Sequence, residues 1–498
     1  MSYHTDKTSA NGGLLRGVLM HVSSLPSEYG IGNFGAEARR FIRLLAKNGG
    51  RLWSVLPLGP TGCGDSPYQS FSSFALNPYF IDIDALNKKG FLTAEECRRE
   101  ASLYKDPSQC DYAALYENRL KLLKTAYNRA ALAEGFTDEL DEFAKANVNT
   151  AEYARFMAER SGDPEDYPFT LFVQKELFAE WRSLRAYAAK HGVLLMGDIP
   201  IYCAPDSAEV RAHPELFMLD EDGRPALAAG VPPDYFTPKG QLWGNPVYDW
   251  EANRKEGYAW WLQRLKAVME LYDVLRIDHF RGFESFYAIP ADAEDAVIGE
   301  WLPGCGNELF DLVADMQSKG SLPECSIVAE DLGFITPQVR RLLKHTGFPG
   351  MQVLQFAFGG GRNNPHMIKK WDGDPAHIVN KAAYTGTHDN PTTAAWWSET
   401  DDDTRRRALR YAGVTKTGTP KLYRSLFPRE CGKEAAKLLC RAAVKSSSRY
   451  VILPMQDLLG LGAEARMNTP GTSDGNWRWR AARRQIEEGL DTFGEILK

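Results

Sequence analysis

The sequence predicts an α/β protein built as a (β/α)8 TIM barrel. Eight apolar runs of strand length show little polar alternation, which is typical of parallel strands buried on both faces. Stretches with apolar residues at helical spacing lie between them. Several of the runs end in an acidic residue, and barrel enzymes place their reactive groups at the carboxyl ends of their strands.

The predicted elements follow one another along the whole chain. The strands are expected at 17–22, 52–58, 193–201, 274–278, 326–330, 351–358, 383–389 and 450–455. Helices are expected at 36–47, 171–190, 253–271 and 336–345. Such a barrel needs only ~250 residues, so a single catalytic domain spanning residues 1–498 must carry large insertions.

Two insertions are predicted over the carboxyl face of the barrel. A mainly helical subdomain at 61–170 follows the second strand, and a segment rich in proline and aromatic residues at 203–252 follows the third. Barrel enzymes keep their active sites on this face, so both insertions are expected to border the site.

Composition limits the function classes. The formal net charge is −6, from 59 basic and 65 acidic residues, which argues against a nucleic-acid footprint. No apolar run is long enough to span a bilayer, and the polar N-terminus does not resemble a secretory signal. The eight cysteines show no C-x-x-C pair and are expected to be free thiols in a reducing compartment, so a cytoplasmic protein is expected. The expected chemistry, described below, implies no metal or organic cofactor.

Three acids form the candidate catalytic set. Asp278 lies in R-I-D-H-F, Glu330 in A-E-D-L-G and Asp389 in T-H-D-N, each at a predicted strand end. Cleavage of a glycosidic bond needs two carboxyl groups in different protonation states, which neighbouring strands can supply. Arg276 shares the strand face of Asp278 and would keep it ionised, whereas apolar neighbours would keep Glu330 protonated.

A structural role is the alternative for each acid, because Asp often caps the helix that follows a strand. We favour that interpretation for Asp331 and Asp457. Asp198, in G-D-I-P-I-Y, fits either a substrate ligand or a hydrogen-bond acceptor that closes the barrel. The three acids together favour catalysis.

The second insertion contains the aromatic-rich stretch 229–250, whose prolines exclude a helix or a central strand. Tyr235, Phe236 and Trp243 are candidates to stack against sugar rings, while Trp250 is expected to anchor the loop to the core. Tyr68 in the first insertion, like Tyr79, fits either role.

In its motifs the sequence resembles the 4-α-glucanotransferases, or amylomaltases, of glycoside hydrolase family 77. The matching segments include G-V-L-M-H-V-S-S-L-P-S, G-D-S-P-Y-Q-S-F-S-S-F-A-L-N-P-Y, R-I-D-H-F-R-G, A-E-D-L-G and T-G-T-H-D-N, and the likeness covers nearly the whole chain. The resemblance implies a barrel without a C-terminal β-domain. It also implies that Asp278 is the nucleophile, Glu330 the general acid/base and Asp389 the acid that stabilises the transition state. It places Tyr235 and Phe236 on a loop that covers the substrate. It places these residues in the lining of the substrate pocket: Ser66, Tyr68, Asp198, Trp243, Arg276, His388 and Asn468.

The expected function is retaining transfer of an α-1,4-glucan segment to the 4-hydroxyl of glucose or of another glucan. The expected partners are α-1,4-glucans, maltooligosaccharides and glucose as acceptor. An α-1,4-glucan hydrolase with the same residues is the main alternative. A Mg²⁺-dependent barrel that uses Asp198, Glu330 and Asp389 as ligands, and a catalytically silent glucan-binding protein, are the others.

Overall fold

The computed structural model of the chain describes residues 13–62, 64–233, 237–359 and 364–498. Within these ranges it contains twelve strands and eighteen α-helices, numbered here in chain order. The strands are β1 Leu15–Leu19, β2 Leu52–Ser54, β3 Leu194–Ile199, β4 Leu227–Val231, β5 Gln241–Pro246, β6 Val274–Ile277, β7 Ser285–Pro290, β8 Glu300–Pro303, β9 Ser326–Ala329, β10 Gly350–Val353, β11 Val379–Tyr384 and β12 Ser448–Pro454. The helices are α1 Ala36–Lys47, α2 Ile83–Lys88, α3 Ala94–Ala101, α4 Tyr112–Ala130, α5 Phe136–Ala146, α6 Val148–Ser161, α7 Asp166–Lys190, α8 Ala208–Ala212, α9 Trp250–Lys255, α10 Ala259–Met269, α11 Glu308–Ser318, α12 Pro337–Thr346, α13 Thr393–Glu399, α14 Asp402–Tyr411, α15 Pro420–Leu426, α16 Gly432–Val444, α17 Met455–Leu459 and α18 Arg483–Leu497.

Eight of the strands close into a parallel barrel, which confirms the predicted fold class. Their order around the barrel is β1-β12-β11-β10-β9-β6-β3-β2, and β1 pairs with β2 to complete the ring. Each predicted strand supplies one barrel strand, but several are shorter than predicted. The second ends at Ser54, although Val55, Leu56 and Leu58 beyond it are still buried. A run of apolar residues indicates that a segment is buried, but it does not distinguish a buried strand from a buried loop.

A second sheet lies beside the barrel, with the order β5-β4-β7-β8. Its strands pair antiparallel, and β4 is an inner strand between β5 and β7. The expectation that the stretch 229–250 holds no central strand was therefore wrong at its start. The prolines are compatible with this arrangement because none lies inside the inner strand. Pro232 and Pro233 follow β4, and Pro246 is the last residue of β5, an edge strand, where a proline is tolerated.

The single helix predicted at 253–271 is interrupted. Gly257 and Tyr258 both adopt left-handed backbone conformations, with φ of 69° and 57°, between the end of α9 and the start of α10. A left-handed residue cannot continue an α-helix, so the chain changes direction there. The other predicted helices are present, with α1 at the predicted bounds and α7 beginning five residues earlier than predicted.

The helical layer α2–α6 shares one continuous hydrophobic core with the barrel. At its centre Arg119 of α4 is almost fully buried. Its guanidinium donates hydrogen bonds to the main-chain carbonyl groups of Tyr29 and Tyr79 and to the carboxylate of Glu100. The bonds to Tyr29 and Tyr79 attach the layer to the segments that follow β1 and β2. Among the described residues, no helix has both the length and the apolar character needed to cross a membrane.

Candidate active site

Asp278 and Glu330 lie side by side because their strands are neighbours. β6 pairs with β9 in a register that sets Ile277 opposite Ala329, and each acid is the first residue after its strand. The main-chain N–H of Glu330 donates to the carbonyl of Ile277 at 3.0 Å, and that of Asp278 donates to the carbonyl of Ile199 at 3.0 Å. The backbone hydrogen bonds therefore hold both acids at the carboxyl end of the barrel.

Arg276 joins two of the candidate carboxylates. From β6 its guanidinium forms an ion pair with Asp198 Oδ2 on β3 and another with Asp278 Oδ1 at 2.6 Å. Burial raises the pKa of Asp198, and the positive charge of Arg276 opposes that rise. The other oxygen of Asp198, Oδ1, is buried without a hydrogen-bond partner among the described residues. Asp198 thus accepts hydrogen bonds inside the barrel and still has one oxygen free.

Glu330 is in a very different environment. Its side chain is buried, and its two carboxyl oxygens accept the main-chain N–H groups of His279 at 2.7 Å and Leu332 at 2.6 Å. Burial and the nearby charge of Asp278 raise the pKa of Glu330 to about 8, although Arg276 and the two N–H donors oppose the rise. Glu330 is therefore protonated at neutral pH.

Asp389 does not end a strand, contrary to the prediction. It lies five residues beyond the end of β11, on the loop that leads to α13. Asn468 Nδ2 donates to Asp389 Oδ1 at 2.7 Å, and His388 Nε2 is 3.3 Å from the same oxygen. The apolar run before Asp389 ends at Tyr384, and the polar loop T-G-T-H-D-N that follows brings the acid to the site.

A stacked aromatic wall borders this side of the site. The rings of Tyr68 and His388 are stacked with centroids 5.0 Å apart, and Trp477 packs against both. The Tyr68 hydroxyl donates to Asp198 Oδ2 at 2.8 Å, while Ser66 Oγ accepts the N–H of Tyr68 at 3.3 Å. The structure thus brings residues from four separate loops or strands to one pocket.

A second wall stands beside Glu330. Trp243 of β5 is partly buried and meets the ring of His279 edge-on, with centroids 4.9 Å apart. Trp250 is buried against Trp261 and Phe283, so it anchors the insertion as expected. Tyr235 and Phe236, two of the predicted substrate residues, lie outside the described residues.

Neither of the other strand-end acids caps the helix that follows its own strand, so that interpretation was wrong. Asp331 accepts the N–H of Met351 and forms an ion pair with Lys381 at 2.8 Å. Asp457 accepts the N–H of Thr393, the first residue of α13, at 2.6 Å. It therefore caps the helix of the preceding barrel unit, a long-range contact without a local sequence signal.

Three residues at the site carried no clear signal in the sequence. Arg466 donates to the main-chain carbonyl of Asp389 at 2.7 Å and to that of Asn468 at 2.8 Å. Trp477 has a left-handed φ of 64° and packs on the aromatic wall. His279 donates its main-chain N–H to the Glu330 carboxyl group, and a main-chain contact leaves no signal in the residue type. Within the described ranges, no three His, Cys, Asp or Glu side chains are grouped closely enough to hold a metal ion.

A closed parallel barrel with polar and carboxyl groups gathered at the carboxyl ends of its strands is typical of the barrel enzymes. The chain matches the sequence profile of the 4-alpha-glucanotransferases of glycoside hydrolase family 77 over residues 20–165 and 159–485. The chain belongs to this family, which confirms the resemblance and the enzyme class inferred from the sequence.

Relatives match over most of their length. The 4-alpha-glucanotransferase of Thermus thermophilus is 41% identical over 93% of this chain and 94% of its own. The chloroplastic/amyloplastic enzyme of Arabidopsis thaliana is 36% identical over 97% of this chain and 84% of its own. Among solved structures, the amylomaltase from Streptococcus agalactiae in complex with acarbose superposes with a TM-score of 0.86 at 34% identity, covering 97% of this chain and 98% of that one.

Proposed function

We propose that the enzyme transfers α-1,4-glucan segments with retention of the anomeric configuration. The observation that carries this proposal is the contrast between Asp278 and Glu330. They follow adjacent strands, yet one is ion-paired and partly exposed while the other is buried with a raised pKa. Retaining transfer needs a nucleophilic carboxylate and a separate proton donor.

In the first half-reaction, a carboxylate oxygen of Asp278 attacks the anomeric carbon of the donor glucan. The glycosidic C–O bond breaks, and Glu330 gives its proton to the leaving oxygen, so the fragment on the reducing side departs as an alcohol. A covalent ester joins Asp278 to the remaining glucan. This chemistry requires the two carboxyl groups to lie roughly 5–5.5 Å apart.

In the second half-reaction, Glu330 is a carboxylate and acts as the base. It takes the proton of the 4-hydroxyl of glucose or of a second glucan, and that oxygen attacks the anomeric carbon. The bond to Asp278 breaks, which restores both carboxyl groups. Two inversions at one carbon give net retention.

Five residues, here called the glucosyl pocket, surround the sugar that reacts: Tyr68, Asp198, His388, Asp389 and Asn468. Asp198, held by Arg276 and by the hydroxyl of Tyr68, is the proposed ligand for a sugar hydroxyl. Asp389, oriented by Asn468 at 2.7 Å, supplies negative charge near the cationic transition state. Arg276 balances the charges of Asp198 and Asp278, and Ser66 shapes the turn that presents Tyr68.

The two insertions are assigned supporting roles. The helical insertion 61–170 and the segment 203–252 border the site, and Tyr235, Phe236 and Trp243 cover the bound glucan. Exclusion of water from the covalent intermediate then favours a sugar acceptor over hydrolysis. Changing Tyr235 and Phe236 to Ala should raise hydrolysis relative to transfer, and an unchanged ratio would refute this role.

The physiological setting is the cytoplasm, with maltooligosaccharides as donors and acceptors and with glucose as the smallest acceptor. All seven cysteines among the described residues are free thiols, which suits a reducing compartment. Neither a membrane nor a nucleic acid takes part.

Maltotriose tests the proposal directly. A transferase converts it into glucose plus longer oligosaccharides, whereas a hydrolase gives shorter products only. If the wild-type enzyme forms only glucose and maltose, it is a hydrolase and the proposed transfer is wrong. Inhibition by a chelator would point instead to the metal-dependent alternative.

A further inference from the structure

Two large aromatic side chains lie exposed near Glu330 and have no role in the mechanism above. Phe334 is 71% exposed and Trp301 is 38% exposed. Phe334 lies on the loop between β9 and α12, and Trp301 lies on β8, one of the two edge strands of the second sheet. A single exposed aromatic residue is common on a folded chain, but two that lie against the same buried cation form a joint apolar surface.

Arg281 holds the two aromatic residues together. Its guanidinium carbon lies 3.7 Å from the centroid of the Trp301 ring and 6.0 Å from that of Phe334. One guanidinium nitrogen donates to the main-chain carbonyl of Phe334 at 2.7 Å, and another donates to Ser285 Oγ at 3.0 Å. Because Arg281 is itself buried, it fixes the main chain of Phe334 and the ring of Trp301 relative to each other.

The segments that carry Phe334 and Arg281 both contact Glu330. Phe334 is four residues beyond Glu330, on a loop whose Leu332 N–H binds the Glu330 carboxyl group at 2.6 Å. Arg281 belongs to the 3-10 turn Phe280–Phe283, whose first N–H donates to the carbonyl of Glu330 at 3.1 Å. The aromatic pair is therefore continuous with the proposed proton donor.

The position of the glucosyl pocket relative to Glu330 determines which part of a bound glucan can reach Trp301 and Phe334. The glucosyl pocket is built by β3 and by the loops after β2, β11 and β12, so the non-reducing side of the donor lies there. The leaving oxygen and later the acceptor hydroxyl lie at Glu330. The loop after β9 and the turn Phe280–Phe283 both contact Glu330, so a glucan extending outward on this side would reach Phe334 and Trp301.

We propose that Trp301 and Phe334 form a stacking subsite for sugar residues of the acceptor and of the leaving chain, several positions away from the bond that is made or broken. Aromatic faces stack on the C–H faces of pyranose rings, and the polar Ser285 and Glu284 beside Arg281 suit their hydroxyl groups. The occupant is an α-1,4-glucan, so this inference rests on the proposed function. It adds a preference for long chains to that function.

Steady-state kinetics with maltotriose and maltoheptaose test the inference. Phe334→Ala should raise the KM for maltoheptaose roughly three- to tenfold while leaving kcat within about twofold. Kinetics with maltotriose should stay unchanged, because a short chain does not reach the subsite. Phe334→Tyr keeps an aromatic face and should behave like the wild type. Leu132→Ala, at another exposed apolar residue, is the matched control.

The outcomes separate this inference from the proposed function. An unchanged KM for maltoheptaose in Phe334→Ala would overturn the subsite, and so would an equal loss on both substrates, which indicates a structural role. If the wild-type enzyme forms no longer products from maltotriose, the proposed function fails instead, whatever Phe334 does.

Discussion

The main-chain N–H of His279 donates a hydrogen bond of 2.7 Å to the carboxyl group of Glu330. His279 directly follows Asp278 and adopts a left-handed φ of 49°, which is rare for a residue with a side chain. The residue next to the proposed nucleophile thus positions the proposed proton donor. A change of backbone geometry at Asp278 would therefore also alter the hydrogen bonding of Glu330.

Asp278→Asn should abolish glucan transfer while leaving the fold intact. The amide cannot attack the anomeric carbon, so kcat should fall by on the order of 10³-fold or more. The maltotriose product profile measures the loss, and Asp292→Asn, at an exposed carboxylate on the turn before β8, should retain full activity. Full-speed disproportionation by Asp278→Asn would refute the assignment.

The activity should fall at alkaline pH because the donor form of Glu330 is lost. Burial raises the pKa of Glu330 to about 8, so kcat/KM should decrease as the pH rises through that value. The pH dependence of kcat/KM for maltotriose disproportionation measures this decrease. A profile that stays flat well above this pH would contradict the role of proton donor.

The same group should make stability depend on pH. The folded pKa of about 8 is higher than the ordinary value of 4.5, so the folded chain binds the extra proton between these pH values. The contribution of Glu330 to stability is present below the ordinary pKa and is lost as the pH rises through the folded one. Denaturant unfolding should therefore show Glu330→Gln gaining stability relative to the wild type as the pH rises across this window.

Arg276→Leu should destabilise the fold as well as the site. The Asp198 side chain is 4% exposed and would lose its cationic partner, and an uncompensated buried charge costs about 3–5 kcal/mol. Denaturant unfolding measures the loss. Arg254→Leu, which breaks an exposed pair with Glu308, should cost only ~0–1 kcal/mol. An equal decrease in the free energy of unfolding in the two variants would show that the buried ion pair stabilises the fold no more than the exposed one.

Asp457→Ala should impair catalysis from a distance. Its carboxylate accepts the N–H of Thr393 and the hydroxyl groups of Thr385 and Thr393, each at 2.6 Å, and these anchor both ends of the loop that carries Asp389. Removing a buried acceptor costs roughly 1–3 kcal/mol, and kcat should fall as Asp389 loses its fixed position.

Asp401→Ala provides the matched comparison for Asp457, since Asp401 caps α14 by accepting the N–H of Thr404 at 2.8 Å. It should lose roughly 1 kcal/mol of stability with no change in kcat. If Asp457→Ala also leaves kcat unchanged, the anchoring role is wrong.

The barrel could be predicted because its strands are buried on both faces and therefore read as short apolar runs. Asp278 and Glu330 could be placed because each directly follows such a run, and Arg276 because two residues along a strand share a face. In each case the signal is local to a few residues.

Features that depend on distant pairing could not be predicted. β4 lies between β5 and β7, and the pairing of Ala229 with Ala288 joins segments that are separated by a barrel strand. Asp457 caps a helix that begins 64 residues earlier. Arg466 and Trp477 reach the site from the last part of the chain through contacts that no short segment encodes.

The buried Arg119 has a practical consequence for engineering. The helical layer shares its hydrophobic core with the barrel and is attached through this side chain. We therefore expect that replacing the layer alone with that of a relative would disrupt the fold. Chimeras joined at the borders of the layer should express as aggregates unless the surroundings of Tyr29 and Tyr79 are exchanged with it. The connection between α4 and α5, where Leu132 is 86% exposed, is the place where foreign sequence can be grafted without disturbing that interior.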